Sequence, residues 1–183
     1  MMARRKPRTL SDVIARRREH IALRDGYLSL IVRVLALAAA ACLLFTQVFL
    51  VAQNSGLGMF PALKDGDLMV VFRLQRDYAK NDVVTYRAEG RRYVGRIAAA
   101  AGDEVDMYED GNLTVNGALQ TGEILYPTYA GEDGPAYPYT VPEGCVFLLG
   151  DYRTQTLDSR DFGAISMENV EGKVITLLRR RGL

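Results

Sequence analysis

A chain of 183 residues that is 49% hydrophobic and 25% charged can bury one sizeable core, which predicts one ordered domain with appendages. Its single histidine, His20, excludes Ser-His-Asp and Cys-His nucleophile schemes and leaves no His/Cys cluster of metal-ligand spacing, so no metal or other cofactor is indicated. The formal net charge of +1 hides an asymmetry: Arg4, Arg5, Lys6, Arg8, Arg16, Arg17, Arg18 and Arg24 face only Asp12, Glu19 and Asp25 within residues 1–25, and most of the acid falls after Lys64.

Residues 1–26 read as a basic cytoplasmic tail. Leu10, Val13, Ile14 and Ile21 recur at near-helical spacing, with Ser11 as N-cap and Gly26 as stop, which predicts a short amphipathic helix. Its arginines suit lipid headgroups and the setting of topology better than any specific recognition.

Residues 27–53 form the predicted transmembrane helix. The run LSLIVRVLALAAAACLLFTQVFLV at 28–51, at about 1.5 Å of rise per residue, spans a ~30 Å hydrocarbon layer with some tilt. Arg33 lies near its N-terminal end, where a long side chain can snorkel to the headgroups. A cleaved leader is the competing reading, but the basic region before the run is too long and the apolar core exceeds the usual ~7–15 residues. The Lys/Arg excess before the helix predicts a single-pass protein of the cell membrane, with the N-terminus cytoplasmic and the C-terminal domain extracytoplasmic. Cys42 lies inside the apolar run and Cys145 stands alone far downstream, so no disulfide is implied.

Residues 54–183 change to a strand-like pattern. DLMVVFRL, NDVVTYRA, RRYVGRIAA, DEVDMYE, NLTVNG, CVFLLGD and GKVITLLRR are short runs rich in β-branched and aromatic residues, separated by turn signals. Glu89-Gly90 and Asp110-Gly111 suit hairpin connections. The stretch YPTYAGEDGPAYPYTVPEG carries too much Pro and Gly for a regular element and predicts an extended loop bearing tyrosines. The outer domain is therefore expected to be mainly β, with no internal repeats.

Five ordered segments of this domain resemble the type I signal peptidases, membrane-anchored serine proteases with a Ser-Lys dyad on a β-fold. GMFPALKDGDLMVV resembles their S-M-x-P-T-L-x-x-G-D segment and KNDVVTYR their G-D-I-V-V-F segment. RRYVGRIAAAAGDEVDM resembles the Y-V-K-R-I-x-G-x-P-G-D block, LTVNG the strand after it, and LGDYRTQTLDSRDFG the G-D-N-R-x-x-S-x-D-S-R-x-F-G block. The resemblance implies a signal-peptidase-like β-fold on a single N-terminal transmembrane helix.

In that family a buried neutral lysine takes the proton of the attacking serine, which it does only when desolvation lowers its pKa from ~10.4. Carried over residue by residue, the serine position is Gly58 and the lysine position is Gly95. Glycine supplies neither hydroxyl nor amine. Ser55, Lys64 and Lys80 are the nearest substitutes, although both lysines fall in charged, turn-like sequence where an ammonium stays hydrated. The supports have drifted as well: Thr156 stands for the serine that assists the lysine, Tyr152 for the asparagine of G-D-N-R, and four alanines at 98–101 for the turn before Gly102-Asp103. Such a spread points to natural loss of activity.

The resemblance also implies that Asp151, Arg153, Thr156, Asp158, Ser159 and Arg160 form a structural network near the cleft, and that Met59, Phe60 and Pro61 border a peptide groove. Backbone pairing with an extended peptide needs no nucleophile. The expectation is a non-catalytic signal-peptidase-like membrane protein that binds an extended segment of a secreted or pilin-like partner, similar to the factors that assist sortase-dependent pilus assembly in Gram-positive bacteria. An active peptidase with a relocated nucleophile, and an anchored scaffold for sortase or another membrane protein, are the alternatives. Nucleic acid is not expected as a partner, because the outer domain lacks a basic stripe.

Overall fold

The apolar run is helical, in a longer helix than its own length requires. The computed structural model describes residues 10–121 and 126–179, of which 11–16 and 19–22 are described for backbone only. Helix α1 (Leu10–Val48) joins the predicted tail helix and membrane helix without a break. Gly26 does not stop it, a correction with a simple cause: one interior glycine costs only ~1 kcal/mol relative to alanine, too little to break a helix of 39 residues. Within α1, Leu23–Val48 is long and apolar enough to cross a membrane, and none of it is buried by protein. This is compatible with membrane anchoring. The predicted Arg4, Arg5, Lys6 and Arg8 lie outside the described residues.

The chain divides into two units, Met1–Thr46 and Gln47–Leu183. In the second unit, α1 ends at Val48 and not at the predicted residue 53, because Phe49–Gln53 forms strand β1. An apolar FLVAQ reads equally well as the end of a helix; its pairing with a distant strand decides the matter. The remaining elements follow as β2 (Leu68–Phe72), β3 (Val83–Ala88), β4 (Arg91–Ala100), β5 (Glu104–Met107), β6 (Leu113–Val115), β7 (Ala118–Leu119), β8 (Tyr139–Thr140), β9 (Cys145–Leu149), α2 (Ser159–Phe162), β10 (Ile165–Ser166) and β11 (Val170–Leu178). The tyrosine-bearing loop is irregular except for β8, whose Thr140 pairs with Glu104.

Two antiparallel sheets result, in the orders β1-β2-β11-β3-β4-β9-β10 and β7-β6-β5-β8. Glu89-Gly90 joins β3 to β4 with φ of 48° and 75°, the left-handed pair that a two-residue hairpin turn requires. The run CVFLL of β9 is apolar throughout because both its faces are covered. Val146 and Leu148 pack with Val84, Tyr86, Ile97, Ile165 and Val170. Phe147 and Leu149 face Ala99, Val105, Leu113, Val115 and Val141 of the other core. A third cluster, Ala52, Met59, Leu63, Met69 and Val71, lies under β1 and β2. The mainly β fold follows the seven predicted strands, with β1 and the two-residue strands β7, β8 and β10 as additions.

Candidate functional site

The turn after β1 carries Gly58, and the segment after β9 folds back onto it. Gly58 O accepts the Tyr152 N–H at 2.9 Å. Gly150 lies buried between them: a Cβ there would sit 2.7 Å from Gly58 O and 2.5 Å from Thr156 Cγ2, so this close approach of backbones demands glycine. A Cβ on Gly58 would lie 2.8 Å from Thr156 Oγ1. The structure thus places Gly58 and Thr156 side by side, whereas the motif match pairs Thr156 with the lysine position, Gly95.

Gly95 is buried in β4 opposite Val84 of β3, so both residues face the core that also holds Tyr86. A Cβ on Gly95 would meet Tyr86 Cε1 at 3.1 Å and Leu148 Cβ at 3.3 Å, tighter than side chains ordinarily pack. Tyr86 is fully buried, its hydroxyl has no hydrogen-bond partner among the described residues, and burial pushes its phenol far above the usual range.

Beneath this lies the polar network. Asp158 caps α2, accepting from Arg160 N at 3.0 Å, and its Oδ2 accepts from Gly150 N at 3.0 Å. It also pairs with Arg160, whose Nε and Nη2 lie 2.9 and 3.0 Å from the two carboxylate oxygens. Both side chains are buried, and removing one partner of a buried pair costs about 3–5 kcal/mol. Ser159 Oγ accepts from Leu148 N at 2.9 Å, which ties α2 to β9. Arg153 donates to Gly150 O at 2.8 Å and to Thr128 Oγ1 at 2.6 Å, and burial pulls its pKa down to about 10. Asp151 receives a two-pronged bond from Arg96, at 2.8 and 2.7 Å.

A cavity of about 490 Å³ opens over this floor. Pro61 and Ala62 form one wall, Arg96, Ile97 and Ala98 of β4 another, and Leu149, Asp151 and Arg153 the base, with Leu113 and Gln120 beside them. Of the predicted groove residues, Pro61 lines this space. Phe60 is half-buried against the Tyr152 ring, with centroids 6.2 Å apart, and Tyr152 stacks on Tyr126 at 4.3 Å. Met59 is corrected: at 1% exposure it belongs to the core under β1 and β2, because the turn aims it inward beside Leu63. Arg96, Thr128, Gly150 and Tyr86 were not singled out in the sequence. Arg96 follows Gly95 in the same motif and was findable; Thr128 and Tyr86 meet the site through long-range contacts that carry no local signal.

Among the described residues, the substitutes that the sequence offers, Ser55, Lys64 and Lys80, are not buried. The chain has four lysines: Lys6, Lys64, Lys80 and Lys173. Lys64, Lys80 and Ser55 are exposed, Lys173 pairs with Asp82 at 2.6 Å, and Lys6 lies outside the described residues. A proton-accepting lysine has to be buried without a charge partner.

An antiparallel β unit following a long apolar helix, with a cleft floored by a G-D-x-R-to-D-S-R segment, defines the signal peptidase class of protein. The family profile described as "Signal peptidase, peptidase S26" matches residues 26–178. The chain belongs to this family. It is 29% identical over 159 residues to signal peptidase I of Bacillus caldolyticus, covering 74% of this chain and 84% of that protein. It is 31% identical over 163 residues to signal peptidase IB of Staphylococcus aureus, covering 77% and 85%. Among solved structures, a signal peptidase I from Enterococcus faecalis is 29% identical and superposes with a TM-score of 0.46, covering 55% of this chain and 97% of that one.

Proposed function

We propose that this is a non-catalytic member of the signal peptidase family, a single-pass membrane protein whose outer cleft holds an extended segment of a secreted partner. The observation that carries the reading is the packing at Gly95. The position that would present the lysine has no side chain, and Tyr86 and Leu148 stand within 3.3 Å of where its Cβ would begin. Gly58, at the position that the motif match gives to the serine, supplies no hydroxyl. The cavity beside Pro61 and β4 remains available to a peptide, with exposed Pro61 and Ala62 at its rim.

The resemblance to factors of sortase-built pili makes a pilin-like segment the favoured partner, with sortase as a neighbour in the same membrane. Photoreactive residues placed at Phe60 and Ala62 should crosslink a secreted or pilin-like protein in cells that express its substrates. Absence of any such adduct would count decisively against the binding role. The names of the two relatives cited above, both signal peptidases, favour an active enzyme as the second reading. Incubation of the purified protein with a preprotein separates the two: no turnover is expected, and turnover abolished by Ser55→Ala or Lys80→Ala would establish a relocated dyad.

A further inference from the structure

Arg153, at the base of the cavity of about 490 Å³, is a cation that the fold buries to 7% exposure. Its bonds go to neutral acceptors only, Nε to Gly150 O and Nη1 to Thr128 Oγ1. The carboxylates whose charge it feels are already held, Asp151 by Arg96 and Asp158 by Arg160. Among the described residues no carboxylate forms an ion pair with Arg153.

A guanidinium carries five N–H donors, and these two bonds leave both hydrogens of Nη2 without an acceptor among the described residues. The polar side-chain atoms sealed off without a partner are there the hydroxyls of Tyr78, Thr85, Tyr86 and Tyr137. Nη2 is not one of them, so it reaches open space, and the space that Arg153 lines is this cavity. An unpaired buried charge is costly, and burial already pulls this guanidinium down to a pKa of about 10. An anion on Nη2 would relieve that cost. Ile97, Leu113 and Leu149 line the same space with apolar side chains, which strengthens a charge-assisted bond by excluding water. Asp151 shares the base, where its two-pronged bond with Arg96 compensates its charge.

We propose that the cavity receives a carboxylate side chain, Asp or Glu, from the extended segment held in the cleft, with Arg153 Nη2 as its donor. The proposal rests on the reading that the cleft holds such a segment. The space is far larger than a carboxylate alone and leaves room for the stem that joins it to a backbone passing the exposed rim at Pro61 and Ala62. Successive side chains of an extended chain point to opposite sides, so one position of the segment is selected for acid and its neighbours are not.

The full chain, purified in detergent micelles, is titrated with fluorescent alanine-based hexapeptides blocked at both ends, each carrying one Glu, Gln or Lys at a scanned position. At one position Glu should bind about tenfold tighter than Gln, and Lys more weakly than either. Arg153→Gln should bring the Glu-to-Gln ratio to about one; the wild-type comparison decides the matter by itself if that variant does not fold. Equal binding of Glu and Gln at every position overturns the proposal and leaves the peptide-binding reading intact. Binding of no peptide removes that reading, and the proposal with it. A preference for Glu that is the same at all positions would mark a diffuse attraction to positive charge. Displacement of the Glu peptide by an equal concentration of acetate would mark a site for a small soluble carboxylate, and either result overturns the side-chain assignment.

Discussion

Gly58 and Gly95, the two glycines that the motif resemblance sets at the serine and lysine positions, have unequal surroundings. Thr156 Oγ1, the atom nearest a Gly58 Cβ, makes only a 3.4 Å bond to Leu157 O, so the hydroxyl can rotate away and admit a serine. Gly95 is hemmed by Tyr86 and Leu148, two fully buried side chains with no such freedom. Gly58→Ser/Gly95→Lys is therefore expected to restore no cleavage of a preprotein. Urea unfolding should show a loss of roughly 1–3 kcal/mol, nearly all from Gly95→Lys, which overpacks the core. Recovered turnover in the double variant would show that Tyr86 yields and that only two functional groups were missing. Both glycines were legible in the sequence because the flanking motif residues align them. Tyr86 was not, since its contact with Gly95 depends on the register that sets Val84 against Gly95.

At the scale of elements, β11 joins two halves of the large sheet, with β2 on one edge and β3 on the other. It does so through irregular pairing, with shifts between Val170 and Gly172 and between Val174 and Thr176. Gly172 makes this possible: a Cβ there would lie 2.4 Å from Phe72 O and 2.9 Å from Val71 Cγ1. Gly172→Ala should destabilise the β unit by roughly 1–3 kcal/mol in urea unfolding, since the obstructing atom is backbone and cannot rotate aside. An unchanged midpoint would mean that the two strands are farther apart than this. The strand itself was legible from GKVITLL; its glycine was not distinguishable from any other, because close approach is a property of the partner strand. The same limit hid β1, whose FLVAQ prolongs the apolar helix run and becomes a strand only by pairing Phe49 with Phe72.

At the scale of the whole β unit, charge pairs join strands and loops that are far apart in sequence. Arg179 bonds Asp67 at 2.8 Å across 112 positions, and Glu171 meets Arg87 across 84. Counts of acid and base in the sequence contain no trace of such pairings. The Arg179 bond, aided by the Lys64 N–H, holds Asp67 below the usual carboxylate range. The Ala100 N–H, with Asn116, does the same for Asp103. Burial pushes Glu171 upward, but the bonds from Arg92 and Arg87 outweigh it and leave it depressed. A folded pKa below the unfolded one means that the unfolded chain binds more protons in acid. The stabilisation is present above the unfolded values of ~4 and is lost as pH falls through the folded ones. The thermal midpoint should accordingly be level from about pH 5 to 8 and drop below about pH 4. Asp67→Asn and Glu171→Gln should each lower the neutral-pH midpoint and flatten the acid decline. A decline equally steep in both variants would place the acid sensitivity in other carboxylates and deny these long-range pairs their part in closing the sheet.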